Sequence, residues 1–489
     1  MNDGGKVLII GAGPAGLTAA YELTKHGIIG TIIESDSGIG GLARTIEFGG
    51  YRFDIGAHRF FTKVPEIDKL WEEMLGEPLV KLPRLTRILY GGKFYDYPLK
   101  AGNALKNMGV LQATECLLSY LKARLRPNRN PANFEQWVTN QFGVRLFNMF
   151  FKSYTEKVWG CSCTEIGADW ASQRIKGLNL GEAVRHALFG QRKGDAVRTL
   201  VDEFKYPRLG PGQLWEACAR TIQNKGWTIN MRTRVTSVDV EDRHIAAIHA
   251  KNQDGAELHY PAEQVFSSMP LRELLLWMKP RPPDEVIKAA TSLGYRDFLV
   301  VALVLDKTGA FPDNWIYVHS PNVRVGRIDN FANWTKEMTP DTDTCCLAME
   351  YFVFENDELW NSPDAELIKL AYRELGEIGL ATAPLIKGYV VRMPKAYPVY
   401  DPGYKERLDV IRHWLGKNIL NLHCMGRNGQ HRYNNQDHSM ATALIAARNV
   451  ALGQSRDPWA VNEDAEYHEI AKTERQTPLT PAVALASEA

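Results

Sequence analysis

The sequence has neither an excess of charge of one sign nor a long apolar run. Its 489 residues carry 58 basic and 57 acidic side chains, which gives a formal net charge of +1. This balance gives no reason to expect a nucleic-acid partner or a strongly electrostatic membrane surface. No apolar run approaches the roughly 18–20 residues of a membrane-spanning helix. We therefore expect no transmembrane segment.

Cysteine is scarce and lacks the spacing of a metal or disulfide site. The seven cysteines include no C-x-x-C pair, and neither Cys161 and Cys163 nor Cys345 and Cys346 are accompanied by the histidine pattern of a zinc site. We expect reduced, buried thiols and no metal. The opening residues also lack the apolar core and cleavage site of a signal peptide. Together these features predict a cytoplasmic protein.

What the chain does have, close to its start, is a strand, a glycine-rich turn, a helix and a second strand. An apolar run at 7–10 is typical of a parallel strand buried on both faces. Gly11, Gly13 and Gly16 follow in the G-x-G-x-x-G spacing, and Glu34 ends the second strand. Glycines alone could form an ordinary turn. With both strands, the helix and the acid in register, the pattern predicts that the glycines bind a diphosphate and that Glu34 binds a ribose.

A second glycine turn follows, with Gly40, Gly41 and Arg44, and then the segment 54–58, which ends in His58. This stretch resembles the superfamily of FAD-containing oxidases and mutases. There, the glycine doublet lies along the flavin diphosphate and the later segment runs along the isoalloxazine ring. The resemblance implies FAD as the cofactor, with these glycines and Arg44 binding it. His58 is expected near the flavin, the alternative being a structural histidine.

The length predicts two or three domains, and the patterns indicate an α/β fold. We expect a discontinuous Rossmann-type FAD-binding domain, an inserted helical domain and an antiparallel β-sheet substrate domain. A hairpin at 85–97 is placed in the helical insertion, and one helix is expected over 133–151. The expected boundaries are 1–63, 205–273 and 418–461 for the FAD-binding domain, 64–204 for the helical domain, 274–417 for the substrate domain and 462–489 for a disordered tail.

The stretch 425–440, MGRNGQHRYNNQDHSM, is dense in polar groups and stands between a strand and an alanine-rich helix. A loop there would lie at the carboxyl edge of the sheet, where open α/β sheets bind ligands. The helix, beginning near Asp437, would direct its positive end at a flavin and favour an anionic, reduced form. The alternative is an ordinary solvated loop.

This stretch resembles the C-terminal motif of UDP-galactopyranose mutases, especially the longer eukaryotic type. The shared residues are Arg427, Tyr433 and the run 435–439, although the spacing between Tyr433 and Asn435 is two residues shorter than in the family. The resemblance covers most of the chain in order. It includes the segments 94–99, 154–160, 169–180, 204–215 and 326–331.

The resemblance implies a pyranose–furanose mutase that acts on a diphosphate-activated sugar. In that family N5 of reduced FAD is the nucleophile at the anomeric carbon, and NADPH or NADH is a possible reductant. Arg327 and Arg427 would clamp the substrate diphosphate. Either arginine alone is equally consistent with an ordinary salt bridge. The implied catalytic residues are His58, Arg327 and Arg427, and the implied substrate-binding residues are Arg174, Tyr397, Tyr400, Tyr433 and Asn435.

A second hypothesis is a net oxidase or desaturase of the amine-oxidase or protoporphyrinogen-oxidase type. Such an enzyme needs an apolar, aromatic-lined cavity, whereas a mutase needs several cations for a diphosphate. Trp334 stands seven residues after Arg327, where the mutase family usually has a phosphate-binding tyrosine. A lipid-linked sugar substrate is compatible with this difference, and an apolar groove beside the helical domain would support it.

Overall fold

The computed structural model describes residues 7–97, 99–168, 203–306, 311–381 and 383–462. Two expectations from the sequence fall outside these ranges: the substrate-binding role of Arg174 and the disorder of the tail beyond residue 462. Among the described residues, no helix is long and apolar enough to cross a membrane.

The strands are β1 Val7–Ile10, β2 Gly30–Ile33, β3 Thr45–Phe48, β4 Tyr51–Asp54, β5 Val80–Pro83, β6 Thr86–Tyr90, β7 Lys93–Asp96, β8 Glu203–Tyr206, β9 Thr228–Asn230, β10 Arg234–Glu241, β11 His244–Lys251, β12 Glu257–Pro261, β13 Gln264–Ser267, β14 Met278–Lys279, β15 Tyr295–Asp306, β16 Trp315–Val318, β17 Arg327–Asn330, β18 Thr344–Val353, β19 Leu385–Pro398 and β20 Leu422–Cys424. The helices are α1 Pro14–Lys25, α2 Pro65–Leu75, α3 Ala101–Leu125, α4 Phe134–Phe142, α5 Val144–Phe147, α6 Ser153–Trp159, α7 Pro211–Asn224, α8 Leu271–Leu276, α9 Asp284–Thr291, α10 Glu358–Asn361, α11 Asp364–Glu377, α12 Tyr404–Asn418, α13 Gly426–Gly429 and α14 Gln436–Leu452.

A five-stranded, fully parallel sheet in the order β20-β13-β1-β2-β9 forms the first layer. Its strands come from three separated parts of the chain, as a discontinuous Rossmann-type domain requires. Strand β1 is buried on both faces, with Ile9 in one apolar cluster and Leu8 and Ile10 in another. This explains why its sequence is a continuous apolar run. The predicted fold class is confirmed here.

The two faces of this sheet are covered by different elements. Helices α1, α2, α7 and α14 cover one face, and a four-stranded sheet in the order β12-β11-β10-β14 covers the other together with α8, α9 and α12. The meander β10–β12 agrees with the strand pattern of the sequence. Helices α9 and α12 fall in the part assigned to the substrate domain, yet Val286 and Ile411 pack in the apolar cluster of the cofactor sheet.

A second large sheet has seven strands in the order β19-β15-β18-β17-β16-β6-β7, and its pairs are antiparallel except β16 with β6. The placement of the hairpin β6–β7 in the helical insertion was therefore wrong. Strand β6 pairs with β16, more than 200 residues away in sequence. The local pattern of apolar and polar residues predicts a hairpin, but it does not show which sheet the hairpin joins.

The helical region packs around an apolar cluster that includes Phe134, Phe147 and Phe150. The single helix expected over 133–151 was wrong, because Gly143 breaks it at φ +79°. A Cβ at Gly143 would lie 2.7 Å from the Ser119 carbonyl carbon, so the break lets α4 and α5 approach α3 closely. All seven cysteines are free and, except for the half-buried Cys161, buried.

Candidate functional site

The turn after β1 is a compact cradle made by glycines. Gly11 has φ +104°, and its N–H donates to the Ile33 carbonyl at 2.8 Å. A Cβ at Gly16 would lie 1.8 Å from the Gly11 carbonyl oxygen, so only glycine lets α1 pack against the turn. Gly13 precedes α1 and has no side chain to accept from the first-turn N–H groups. Those groups are thus available to an anion.

The second glycine turn faces the first. A Cβ at Gly41 would lie 3.2 Å from the Cα atom of Gly13, so the two turns meet through backbone alone. The neighbouring Gly40 has φ +99°. Arg44, predicted to bind cofactor, instead lies with its Nη1 2.6 Å from the Oδ2 of Asp36. Its positive charge is thereby committed to a carboxylate of the protein.

Glu34 lies at the end of β2, where the glycine motif predicts it. Its Oε2 accepts the Ala12 N–H and its Oε1 accepts the Asp36 N–H, both at 2.8 Å. These two bonds fix the carboxylate beside the glycine turn. Because a carboxylate oxygen accepts more than one hydrogen bond, Glu34 still has acceptor capacity for sugar hydroxyls.

A second helix N-terminus points into the same cavity as α1. Helix α14 begins at Gln436, and the cavity wall includes Asp437 and His438 in its first turn. The Asn435 N–H donates to Nδ1 of His438 at 3.3 Å, and this hydrogen bond caps the start of the helix. Two positive helix ends therefore meet in one cavity. Asn435 itself is part of the helix start.

His58 is half-buried and neutral. Its Nδ1 donates to the Gly56 carbonyl at 2.7 Å. Burial, together with the nearby Arg427 charge, lowers the pKa of His58 to about 3. The imidazole therefore carries its proton on Nδ1 and leaves Nε2 as a lone-pair acceptor at the cavity wall. It would not serve as a cation for a diphosphate.

Arg327 lies on the cavity wall, but its charge is compensated. Its Nη2 donates to Oε1 of Glu350 at 2.8 Å, and its Nε lies 2.5 Å from Oε2. Asp329, two residues along β17, is also buried, and burial and the Glu350 charge raise its pKa well above the usual range. Asp329 is thus favoured in its protonated form, and the trio carries little net charge.

Arg427 is arranged differently, since neutral groups hold it. Its Nε donates to the Asn434 carbonyl and its Nη1 to the Ala396 carbonyl, both at 2.9 Å. Its guanidinium carbon lies 5.2 Å from the ring centre of Tyr397 and 4.9 Å from that of Tyr433. Because backbone carbonyls and aromatic faces orient it without a carboxylate, these contacts leave its charge uncompensated.

The predicted tyrosines cluster around this arginine. Tyr397 and Tyr433 stack with ring centres 5.5 Å apart and planes 13° apart. The Tyr400 hydroxyl accepts the Tyr433 N–H at 2.6 Å, and its ring stacks on Tyr404 at 4.4 Å. Tyr400 therefore holds the chain beside Arg427. Trp334 lies apart, in an aromatic cluster with Tyr206, and donates from Nε1 to the Asn314 carbonyl.

Several residues that line the cavity were not singled out from the sequence. Tyr154 and His319 stack at 4.8 Å and 9°, and Tyr317 and Arg59 complete this wall. Tyr154 belongs to the segment 154–160, which the resemblance to the mutases includes, so the sequence could have indicated it. The lysine of that segment has a structural role. Lys157 donates to the carbonyls of residues 318, 320 and 325 at 3.1, 2.7 and 3.0 Å, and burial lowers its pKa to about 8.

Most of these groups line one continuous cavity of about 1850 Å³, but Arg44, Lys157, Trp334 and Glu350 do not. At one end are the glycine turns and Glu34, and in the middle are His58, Arg327 and Arg427. Beyond Tyr154 the wall becomes apolar and is formed by residues of α3 to α6. Pockets for one small ligand usually measure ~300–1000 Å³. The cavity therefore has room for a dinucleotide and a second molecule.

The fold and this site define a FAD-dependent enzyme. The two glycine turns, the two helix N-termini and Glu34 on the cavity wall fit the diphosphate and ribose of a flavin dinucleotide. The family model for flavin containing amine oxidoreductases matches residues 14–393. The chain belongs to this family.

Known proteins divide between two kinds of chemistry. A coproporphyrinogen III oxidase of Mycobacterium leprae is 24% identical over 444 residues, which cover 84% of this chain and 92% of the relative. The structure of a reduced UDP-galactopyranose mutase superposes with a TM-score of 0.80 at 22% identity, over 95% of this chain and 99% of the other. A protein assigned as a protoporphyrinogen oxidase from Exiguobacterium sp. 255-15 gives a TM-score of 0.70 at 17% identity, over 92% and 99%. These structural similarities are evidence of the fold alone.

Proposed function

We propose that the protein is a flavin-dependent pyranose–furanose mutase, or a close relative, that acts on a sugar attached to a phosphate or diphosphate. The observation that carries the proposal is the placement of Arg427. Neutral carbonyls and two tyrosine rings hold its guanidinium on the wall of the cavity that begins at the dinucleotide cradle. A preorganised cation of this kind is suited to a phosphate leaving group.

Reduced FAD, when bound, would supply the nucleophilic nitrogen for attack at the anomeric carbon. The residues of the chain then have three tasks. Arg427 binds the departing phosphate and keeps it close for recapture. Tyr397 and Tyr433 orient Arg427 and present phenolic hydroxyls to the same region. The neutral His58 offers a lone pair on Nε2, which can accept a hydrogen bond from a hydroxyl group of the substrate.

The diphosphate clamp is asymmetric in this proposal. Glu350 already compensates Arg327, so Arg327 contributes position and hydrogen bonding more than net charge. Arg59, whose guanidinium lies 5.5 Å from the ring centre of Trp315, is a second cation on the wall. Arg427 would therefore neutralise most of the substrate charge, a role that the family resemblance assigned to Arg427 and Arg327 together.

A net-redox oxidase is the second candidate, and a specific observation favours it. Apart from Arg427 and Arg59, the polar part of the cavity wall adds little positive charge, because His58 and His319 are held neutral and Arg327 is paired. The outer wall, formed by residues such as Met108, Phe142 and Phe150, is apolar. This combination suits an apolar substrate, and the similarity to a coproporphyrinogen oxidase points the same way.

One experiment separates the two. The purified protein is incubated with UDP-galactofuranose and a panel of nucleotide sugars, with and without dithionite, and isomers of equal mass are separated by chromatography. Isomerisation only with reduced flavin supports the mutase, and repeating the reaction with NADPH and NADH identifies the reductant. A parallel assay follows oxygen consumption with coproporphyrinogen III. Oxygen uptake without isomerisation would overturn the proposal in favour of the oxidase.

A further inference from the structure

Helix α3 exposes a row of large apolar side chains. Val110, Leu111, Leu118 and Leu125 are 86%, 79%, 61% and 82% exposed, and Leu121 is also exposed. Leu111, Leu118 and Leu125 recur every seven residues, and Leu121 lies three positions from Leu118. All four therefore lie on one stripe of the helix. An exposed apolar stripe of this size on a protein surface usually marks a contact site.

Basic side chains flank the stripe. The segment 100–129 contains six basic residues and one acidic residue, whereas the whole chain is nearly neutral. Lys106, Lys122 and Arg126 are exposed. The single acid, Glu115, lies 3.3 Å from Arg145. The overall net charge thus hides a strongly basic segment, and the expectation that no charged surface would favour a membrane does not hold locally.

The large cavity opens onto this same helix. Leu105, Val110 and Leu117 line the cavity and are also exposed, so they form the rim of its mouth among the described residues. Met108 and Ala113 continue the apolar lining inward. Apolar side chains of α3 therefore lie both on the exposed stripe and along the cavity wall. Gly109, at φ +76°, breaks the helical backbone between Leu105 and the longer segment 110–125.

We propose that the stripe of α3 docks on the surface of an anionic lipid bilayer. The apolar side chains would enter the boundary between headgroups and acyl chains, and the flanking lysines and arginines would pair with lipid phosphates. Charge decides between this partner and a second copy of the chain. Two copies meeting through α3 would bring two strongly basic segments together, whereas an anionic membrane complements them.

Docking in this orientation sets the cavity mouth against the bilayer. A substrate with a long apolar chain would then pass from the membrane to the flavin site without crossing water. Membrane docking would serve a sugar isomerisation and an oxidation equally. Vesicle binding is measured without turnover, so a negative result would overturn membrane docking and leave the proposed enzyme activity untouched.

The test is sedimentation of the flavin-loaded full chain with vesicles. Vesicles of phosphatidylcholine with one-third phosphatidylglycerol are compared with pure phosphatidylcholine, at low and high salt. We expect binding to the anionic vesicles that weakens with salt. The double variant Leu118→Glu/Leu125→Glu should reduce the partition coefficient at least tenfold. The matched control is Leu276→Glu/Leu420→Glu, which changes exposed leucines elsewhere and should leave binding unchanged.

A second variant guards against misfolding. Lys122→Glu/Arg126→Glu alters only exposed charges and should also reduce binding to anionic vesicles, while the flavin content stays that of the wild type. Absence of vesicle binding by the full chain would overturn the proposal, as would binding that both α3 variants leave unchanged. A dimer that Leu118→Glu/Leu125→Glu dissociates would overturn it as well, because it would identify a second copy as the partner.

Discussion

Arg327 and Glu350 form a buried ion pair on adjacent strands of the seven-stranded sheet, with Nη2 to Oε1 at 2.8 Å and Nε to Oε2 at 2.5 Å. Arg327 lies at the cavity wall, beside the segment that carries His58. It joins the seven-stranded sheet to the proposed flavin site, because Gly56 packs directly on Arg327: a Cβ there would lie 3.1 Å from Nη2. The arginine is thus part of the framework of the site.

The pair makes a prediction for stability. Glu350→Ala would leave the buried Arg327 charge uncompensated and should lower the free energy of unfolding by ~3–5 kcal/mol. Urea unfolding followed by tryptophan fluorescence measures this. The control is Glu377→Ala, which removes an exposed helical ion pair with Arg373 and should change the free energy by less than about 1 kcal/mol. Equal effects of the two variants would contradict the compensating role of Glu350.

Arg427 makes a prediction for substrate binding. If it binds the phosphate of the substrate, Arg427→Ala should raise KM more than tenfold, because a charge-assisted hydrogen bond contributes ~1.5–3 kcal/mol. Steady-state kinetics with the sugar that is turned over provides the measurement, at equal flavin content. Arg373→Ala removes a surface arginine and should not alter KM. An unchanged KM in Arg427→Ala would exclude the phosphate-binding role.

The first glycine turn makes a prediction for the cofactor. Gly13→Val should abolish FAD retention, because the branched side chain would crowd Gly41 and block the approach of a diphosphate to the backbone. The ratio of flavin to protein absorbance after purification reports the occupancy. Gly102→Ala is the control, since a Cβ there meets nothing within 4 Å. A yellow, fully loaded Gly13→Val protein would show that the diphosphate lies elsewhere.

Asp54 makes a prediction for pH dependence. Its carboxyl is buried, and burial raises its pKa to about 8 although Tyr206 and Thr45 donate hydrogen bonds to it at 2.5 and 2.9 Å. In the unfolded chain an aspartate has a pKa of about 3.9. The folded state therefore binds the proton more tightly. The stabilisation is fully present below about pH 4 and is lost as the pH rises towards about 8.

The corresponding measurement is the free energy of unfolding between about pH 5 and 7.5, in the presence of excess FAD. Asp54 should contribute a fall of ~1.4 kcal/mol per pH unit. Asp54→Asn should remove this contribution and flatten the profile. Asp284→Asn, at an exposed position, should keep the wild-type slope. If the slopes of wild type and Asp54→Asn coincide, Asp54 is ionised in the folded protein.

The cofactor cradle could be predicted from the sequence, and the residues explain why. Gly11, Gly13, Gly16 and Glu34 lie within one strand–turn–helix–strand unit, so local spacing fixes their geometry. Only glycine fits at Gly11 and Gly16, because of a positive φ and a carbonyl contact. The ion pair of Arg44 with Asp36 could not be predicted in this way, and the cofactor-binding role that the resemblance implies for Arg44 stays a prediction.

The substrate wall could be predicted only in part. The structure brings together four of the residues that the resemblance names: Arg427, Tyr397, Tyr400 and Tyr433. Tyr400 contacts the cluster by accepting a hydrogen bond from the Tyr433 N–H. The compensation of Arg327 was not predictable, because Glu350 is 23 residues away on a neighbouring strand. The attachment of the hairpin β6–β7 to the seven-stranded sheet was not predictable either, because it depends on the pairing of β6 with the distant strand β16.

By itself the sequence determined the parallel cofactor sheet, the glycine cradle and the position of Glu34, because short-range spacing and backbone sterics dictate them. The tertiary structure alone decided which charges remain uncompensated. It paired Arg327 with Glu350 and Arg44 with Asp36, and it held Arg427 with neutral carbonyls. It also exposed the apolar stripe of α3 beside the cavity mouth. These outcomes depend on contacts between distant segments, and the burial that sets each charge state exists only once those segments have packed.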